Sequence, residues 1–187
     1  AERSSTRPGG LLLFICLDLL KDPPKTRAEF LKYSCDITLD PNTSYSSHPD
    51  RFTGRCQVLS KESLTGRCYW EVEWRGRGVY VAVTYKNISR AGSSDECWFG
   101  RNDKSWALDC YNNSYDFWYN NVSTPVSGPQ SSRVGVYLDH RAGILSFYSI
   151  SETMTLLHRV QTTFTQPLHA GLWIQHFEDS AELCKLK

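Results

Sequence analysis

The sequence has one methionine, no CxxC pair, no long charge run and no excess of either charge. A lone Met removes the pliable side chain that fills irregular helical cores. Together with 13% aromatic residues it favours a rigid β core. With 21 basic and 20 acidic residues the formal net charge is +1. Such a balance supplies no field to gather nucleic acid or an anionic membrane, and neither is expected as a partner. The apolar run at residues 11–20 is broken by Asp18 and is too short to span a bilayer. Lys21-Asp22-Pro23-Pro24 follows it in place of a small-residue cleavage pattern. The run therefore reads as a short helix or strand packed on the domain from outside.

The seven cysteines, Cys16, Cys35, Cys56, Cys68, Cys97, Cys110 and Cys184, are scattered and odd in number. No two Cys or His residues have ligand spacing on a common turn, so no metal site is expected. The cysteines read as free thiols in a reducing compartment, with disulfides as the alternative. Four Asn-x-Ser/Thr sequons, at Asn42, Asn87, Asn112 and Asn121, are what Asn-rich loops produce by chance. No Gly-x-Ser-x-Gly, His-Glu-x-x-His or phosphate-binding loop is present. Asp109-Cys110 and Asp139-His140 are chain neighbours on strands and point to opposite faces, so neither is a dyad. No catalytic residue and no cofactor is expected.

What is there is alternation. In Leu64-Thr65-Gly66-Arg67-Cys68-Tyr69-Trp70-Glu71-Val72-Glu73-Trp74 a turn leads into a strand with Cys68, Trp70, Val72 and Trp74 on one face. Tyr69, Glu71 and Glu73 take the other, expected to be polar and uncovered. Before it, residues 25–33 read as a short helix with Thr26 as cap and Glu29 completing a capping box. Residues 35–39 read as a strand, and residues 51–60 contain a second short one. After it, Arg75-Gly76-Arg77-Gly78 reads as a tight hairpin into the strand at 79–85. Further strands are expected at 105–110, 115–119, 134–138, 144–148, 154–160, 171–174 and 181–184, with loops at 86–104 and 125–132. Asn112-Asn113, Asn120-Asn121 and the Gly143 loop supply turns. Ten or more short strands without βαβ alternation make an antiparallel β-sandwich of 187 residues, one domain with at most a short appendage. Trp70, Val72, Trp74, Trp106, Leu138, Phe147 and Leu183 are its expected structural core.

These strands carry a family resemblance. Leu39-Asp40-Pro41-Asn42-Thr43 resembles the PRY signature, and the residue 64–74 stretch resembles the first strong motif of the SPRY domain. Ser105-Trp106-Ala107-Leu108, residues 135–148, Phe164-Thr165-Gln166-Pro167-Leu168 and Ala181-Glu182-Leu183-Cys184 are similar to its later motifs. The wording is especially similar to C-terminal PRY-SPRY domains of fish proteins: tripartite-motif ubiquitin ligases, NLR-type innate immune receptors and stonefish toxins. The resemblance implies an all-β fold, a bent antiparallel sandwich of two sheets (concanavalin-like, jelly-roll-like) with a short N-terminal helix. It divides the chain into a lead-in at 1–24, a PRY segment at 25–60 and a SPRY segment at 61–187. One departure stands out. Ser44-Tyr45-Ser46-Ser47 joins the PRY signature directly to His48-Pro49-Asp50-Arg51-Phe52, where the family has roughly twenty residues more. Either the sequence leaves out part of the segment or the segment is shortened. In the second case a sheet edge is exposed and the first variable loop is reduced.

The resemblance also implies the function: a non-catalytic protein-interaction module that binds a target protein through loops at one end of the sandwich. Any ligase activity would then reside in a RING domain outside this chain, and oligomerisation would come only from upstream domains. The implied binding residues are Arg75, Arg77, Tyr111, Asn112, Tyr115, Trp118, Gln175, His176, Phe177 and Glu178, since aromatics and Arg dominate interface energetics. The implied setting is cytoplasmic innate immunity or ubiquitin ligation. The alternatives are a secreted pore-forming toxin subunit and a small-anion pocket using Arg75, Arg77 or His176.

Overall fold

The computed structural model describes residues 22–48 and 50–186. The apolar run at 11–20, with Cys16, lies outside the described residues. Among the described residues one short helix, α1 (Arg27–Leu31), precedes eleven strands: β1 (Gln57–Leu59), β2 (Arg67–Arg75), β3 (Gly78–Tyr85), β4 (Ser105–Tyr111), β5 (Ser114–Tyr119), β6 (Val122–Val126), β7 (Arg133–Asp139), β8 (Ile144–Ile150), β9 (Met154–Gln161), β10 (Leu168–Trp173) and β11 (Ser180–Leu183). They form a six-stranded sheet, β1-β10-β3-β4-β5-β6, and a five-stranded sheet, β11-β2-β7-β8-β9. All the pairings are antiparallel. The expected sandwich is therefore present.

Its main core lies between the sheets, where period-two alternation turns Trp70 and Val72 of β2, beside Leu138 and Phe147 of the same sheet, toward Val81, Val83, Trp106 and Leu108 of the other. Trp70, Val72, Trp106, Leu138 and Phe147 are buried as expected, whereas Trp74 and Leu183 are only partly buried. Both sit at or next to the last residue of their strands and pack against the edge of this cluster. A smaller cluster sits on the outer face of the six-stranded sheet. There Gly171 and Ala82 leave a trough that Phe99, from the 86–104 loop, fills. A Cβ on Gly171 would come within 2.8 Å of the Phe99 ring.

Four expectations about the secondary elements need correction. First, β2 is buried on both faces: Tyr69 and Glu71 are each 0% exposed. Helix α1 covers them, with Phe30 packed on Tyr69 and Tyr137 at centroid distances of 5.4 and 5.1 Å. Thr26 caps α1 by accepting from the Glu29 N–H, but the Glu29 carboxylate accepts from Lys25 N rather than closing a capping box. Second, residues 35–39 form no strand. Ser34 bridges Tyr69 of one sheet and Leu39 bridges Ser60 beside the other, so the segment crosses the sandwich. Third, Arg75-Gly76-Arg77-Gly78 is not a hairpin: β2 and β3 belong to different sheets, and these residues carry the chain between them. Fourth, residues 122–126 are an edge strand, hidden in the sequence by Pro125, which an edge tolerates.

The free-thiol reading fails at one pair. The Ser34–Tyr69 bridge brings Cys35 beside Cys68, with Cα atoms 5.6 Å apart, and the two form a disulfide. Cys56, Cys97, Cys110 and Cys184 are free thiols. The sheet edge that a shortened PRY segment would expose is partly closed. On β1, the Leu59 N–H donates to Thr43 Oγ1 at 2.9 Å and its carbonyl accepts from Asp40 N at 2.7 Å. The turn at 40–43 thus blunts that edge, leaving beside it an apolar cleft of about 230 Å³ lined by Leu39, Tyr45, Val58 and Ile174 among others.

Candidate partner-binding face

At one end of the sandwich the 75–78 crossover meets the β4–β5 turn, the 127–132 loop and the 174–179 loop. The strands dictate this: Gly78 pairs with Tyr111, Tyr111 with Ser114, and Arg75 with Ser180. Asn112 and Asn113, at φ 48° and 59°, make the tight turn between β4 and β5 that Asn tolerates. Gly76 has φ +98°, and the Asp179 carboxylate occupies the space a Cβ would need.

Hydrogen bonds tie these segments into one surface. Arg77 N–H donates to Asp179 Oδ1 at 2.9 Å, and Asn112 N–H donates to the Arg77 carbonyl at 3.0 Å. Tyr111 Oη and His176 Nε2 are hydrogen-bonded at 3.1 Å, with the rings stacked 5.8 Å apart. Tyr115 Oη donates to the Pro129 carbonyl at 3.1 Å and accepts from Ser131 N–H at 3.2 Å. Burial raises the Tyr115 pKa, so its hydroxyl stays a donor. A groove of about 560 Å³ opens between these loops, with Trp74 and Tyr115 among its lining. Beside it Phe177 stands 98% exposed.

Of the expected binding residues, nine come together here: Arg75, Arg77, Tyr111, Asn112, Tyr115, Gln175, His176, Phe177 and Glu178. Tyr115 is buried and contributes a wall, not a free ring. Trp118 does not belong. It lies near the opposite end of β5, paired with Ala107, and its ring is covered by the Arg101 guanidinium at 3.4 Å. Trp74, the Pro129-to-Ser132 loop and the contact of Asp179 with Arg77 were missed. Ser127-Gly128-Pro129 and the Asp two residues after Phe177 were the available turn signals.

Among the described residues no cluster of three or more His, Cys, Asp or Glu side chains could hold a metal, and no helix is long and apolar enough to cross a membrane. Asp109 and Cys110 do face opposite ways. Cys110 lies in the inter-sheet core, where burial raises its thiol pKa well above the ordinary value.

This two-sheet architecture can be set against known proteins. A family model described as the SPRY domain matches residues 67–184. The chain belongs to the SPRY domain family. It is 34% identical over 190 residues to tripartite motif-containing protein 16 of Mus musculus, covering 89% of this chain and 34% of that protein. It is 41% identical over 139 residues to cytolytic toxin-beta of Scorpaena plumieri, covering 72% of this chain and 20% of the toxin. The SPRY chain thus spans about a third of the length of the first relative and a fifth of the second. Among solved structures, stonustoxin superposes with a TM-score of 0.77 at 32% identity, covering 85% of this chain and 28% of that one. The crystal structure of the TRIM65 PSpry domain gives 0.76 at 24% identity, over 88% and 99% of the respective chains. Membership in this family supports a protein-interaction module.

Proposed function

We propose that this SPRY domain is the non-catalytic recognition end of a larger innate-immunity or ubiquitin-ligase protein, and that it docks a target protein on the loop face described above. One observation carries the reading: a fully exposed Phe177 beside a groove whose walls are fixed by Asp179, the Tyr111–His176 pair and the Tyr115 hydroxyl. Loops fixed before the partner arrives lose less entropy on binding, and exposed aromatics supply hot-spot area. The proposal keeps the division into a lead-in at 1–24, a PRY segment at 25–60 and a SPRY segment at 61–187, with a cytoplasmic setting.

The test compares variants. Phe177→Ala and Tyr111→Ala are expected to leave the melting temperature within about 2 °C while weakening target binding up to tenfold, about 1.4 kcal/mol. Trp118→Ala, away from this face, is expected to spare binding. Targets captured equally by all three variants and the parent chain would end the proposal.

The Cys35–Cys68 disulfide and the toxin relative favour a second reading, a secreted toxin-type subunit, because disulfides persist in oxidising compartments. In chain purified from its native source and alkylated before reduction, this reading expects Cys35 and Cys68 to resist labelling. The cytoplasmic reading expects both to be labelled. Peptide mass mapping of the two cysteines decides between them.

A further inference from the structure

Resting on the interaction-module reading, we infer that the groove takes an extended acidic segment of the target, with carboxylates meeting Arg75 and Arg77. Three charged residues line it: Glu73, Arg75 and Arg77. Glu73 is already committed, since its Oε2 accepts from Arg133 Nη2 at 2.9 Å. Asp179, the carboxylate beneath the crossover, is 5% exposed and turned onto the Arg77 N–H. Exposed Glu178 follows Phe177 and is not part of the lining. Arg75 and Arg77 are both exposed, and neither guanidinium has an ion-pair or hydrogen-bond partner among the described residues.

The rest of the wall points the same way. The side chains of Asn113 and Gln130 also lack a hydrogen-bond partner. Free amide donors and two guanidiniums ask for a ligand rich in acceptors. Arg presents a planar fork that matches a carboxylate with two parallel hydrogen bonds. At about 560 Å³ the groove has the size of a pocket for more than a small inorganic anion. A peptide also supplies backbone carbonyls for Asn113 and Gln130, and a neighbouring surface for Phe177. A basic segment would meet two unpaired like charges, which gives the site its selectivity.

The experiment selects a random dodecapeptide phage library on the whole chain and titrates the enriched peptides by fluorescence anisotropy. The inference expects sequences rich in Glu and Asp. Their affinity should fall at least tenfold in Arg75→Glu and Arg77→Glu and should weaken between low and physiological salt. Both variants replace exposed side chains, and an unchanged melting temperature certifies their fold. Enrichment of neutral or basic peptides that are still lost in Phe177→Ala would overturn the acidic ligand and leave the interaction module standing. No enrichment, or peptides indifferent to every loop variant, would overturn both. Inorganic pyrophosphate displacing the peptide at micromolar concentration, with the same dependence on Arg75 and Arg77, would assign the groove to a small anion and overturn the peptide.

Discussion

Replacing Glu71 with Ala is expected to cost about 3–5 kcal/mol, the usual consequence of removing one member of a buried charge network. In a chain of this size that lowers the melting temperature by roughly 10 °C. The Glu71 side chain is 0% exposed yet carries a full set of donors. Arg27 contributes Nε to Oε1 at 2.7 Å and Nη2 to Oε2 at 3.0 Å, a bidentate clamp from α1. Tyr69 Oη donates to Oε1 at 2.7 Å, and Arg133 Nη1 reaches Oε2 at 3.4 Å. Truncation leaves the buried Tyr69 hydroxyl without its acceptor. It also unfastens α1, whose five residues are too few to hold a helix on their own. Glu71→Gln keeps the shape and loses the charge, so it is expected to cost less. A thermal melt of Glu71→Ala within 2 °C of the parent would show that Phe30 packing alone fastens the helix.

Acid should act through the same site. Burial pushes the Glu71 pKa up, but the hydrogen bonds from Arg27 and Tyr69 outweigh it and hold the carboxyl below its ordinary value. The unfolded chain then binds the proton first. The stability Glu71 contributes is complete above the ordinary Glu range near 4.3 and is lost as pH falls through its lower folded pKa. Burial raises the Tyr69 phenol, with Glu71 adding to the effect, so Tyr69 remains a proton donor throughout.

How far the sequence disclosed this depends on which physical rule each residue obeyed. Trp70 and Val72 were legible because a strand in a sandwich repeats every two residues, and Asn112-Asn113 because two consecutive positive φ angles call for such residues. Glu71 was not. Its position in the alternation assigns it to a polar face, and only the docking of α1, forty-four positions away in the chain, converts that face into an interior. The crossover at Gly76 failed for a related reason: a two-Gly turn between strands looks the same whether the strands pair or part. At the candidate site the loops were legible through their aromatics and arginines. Asp179 was hidden, since nothing local reveals that its carboxylate reaches back to Arg77. Trp118 was misplaced because an aromatic near a turn gives no hint of which end of the strand the partner surface occupies.

The outer face of the six-stranded sheet supplies the other large effect. Asp109 on β4 sits between Tyr80 of β3 and Asp116 of β5 in one cross-strand row. Burial raises its pKa, the Tyr80 hydroxyl opposes that, and the Asp116 charge raises it further, to about 6. Its Oδ1 is buried with no hydrogen-bond partner among the described residues. Against an ordinary Asp value near 3.9, the folded chain here holds the proton more tightly than the unfolded one. Stability therefore falls as pH rises from about 4 to above 6 and is flat beyond, the opposite direction to Glu71. Two pKa units correspond to about 3 kcal/mol, so Asp109→Asn is expected to gain roughly 1–3 kcal/mol at pH 7.5 and little at pH 4. His158 complicates the parent curve, because burial lowers its pKa and makes acid costly from about pH 6.5 downward. Subtracting the Asp109→Asn curve from the parent cancels that contribution. Urea midpoints at pH 4.5, 6 and 7.5 give the difference directly. A gap between variant and parent that does not grow with pH would mean that Asp109 ionises in the folded chain as freely as it does in water.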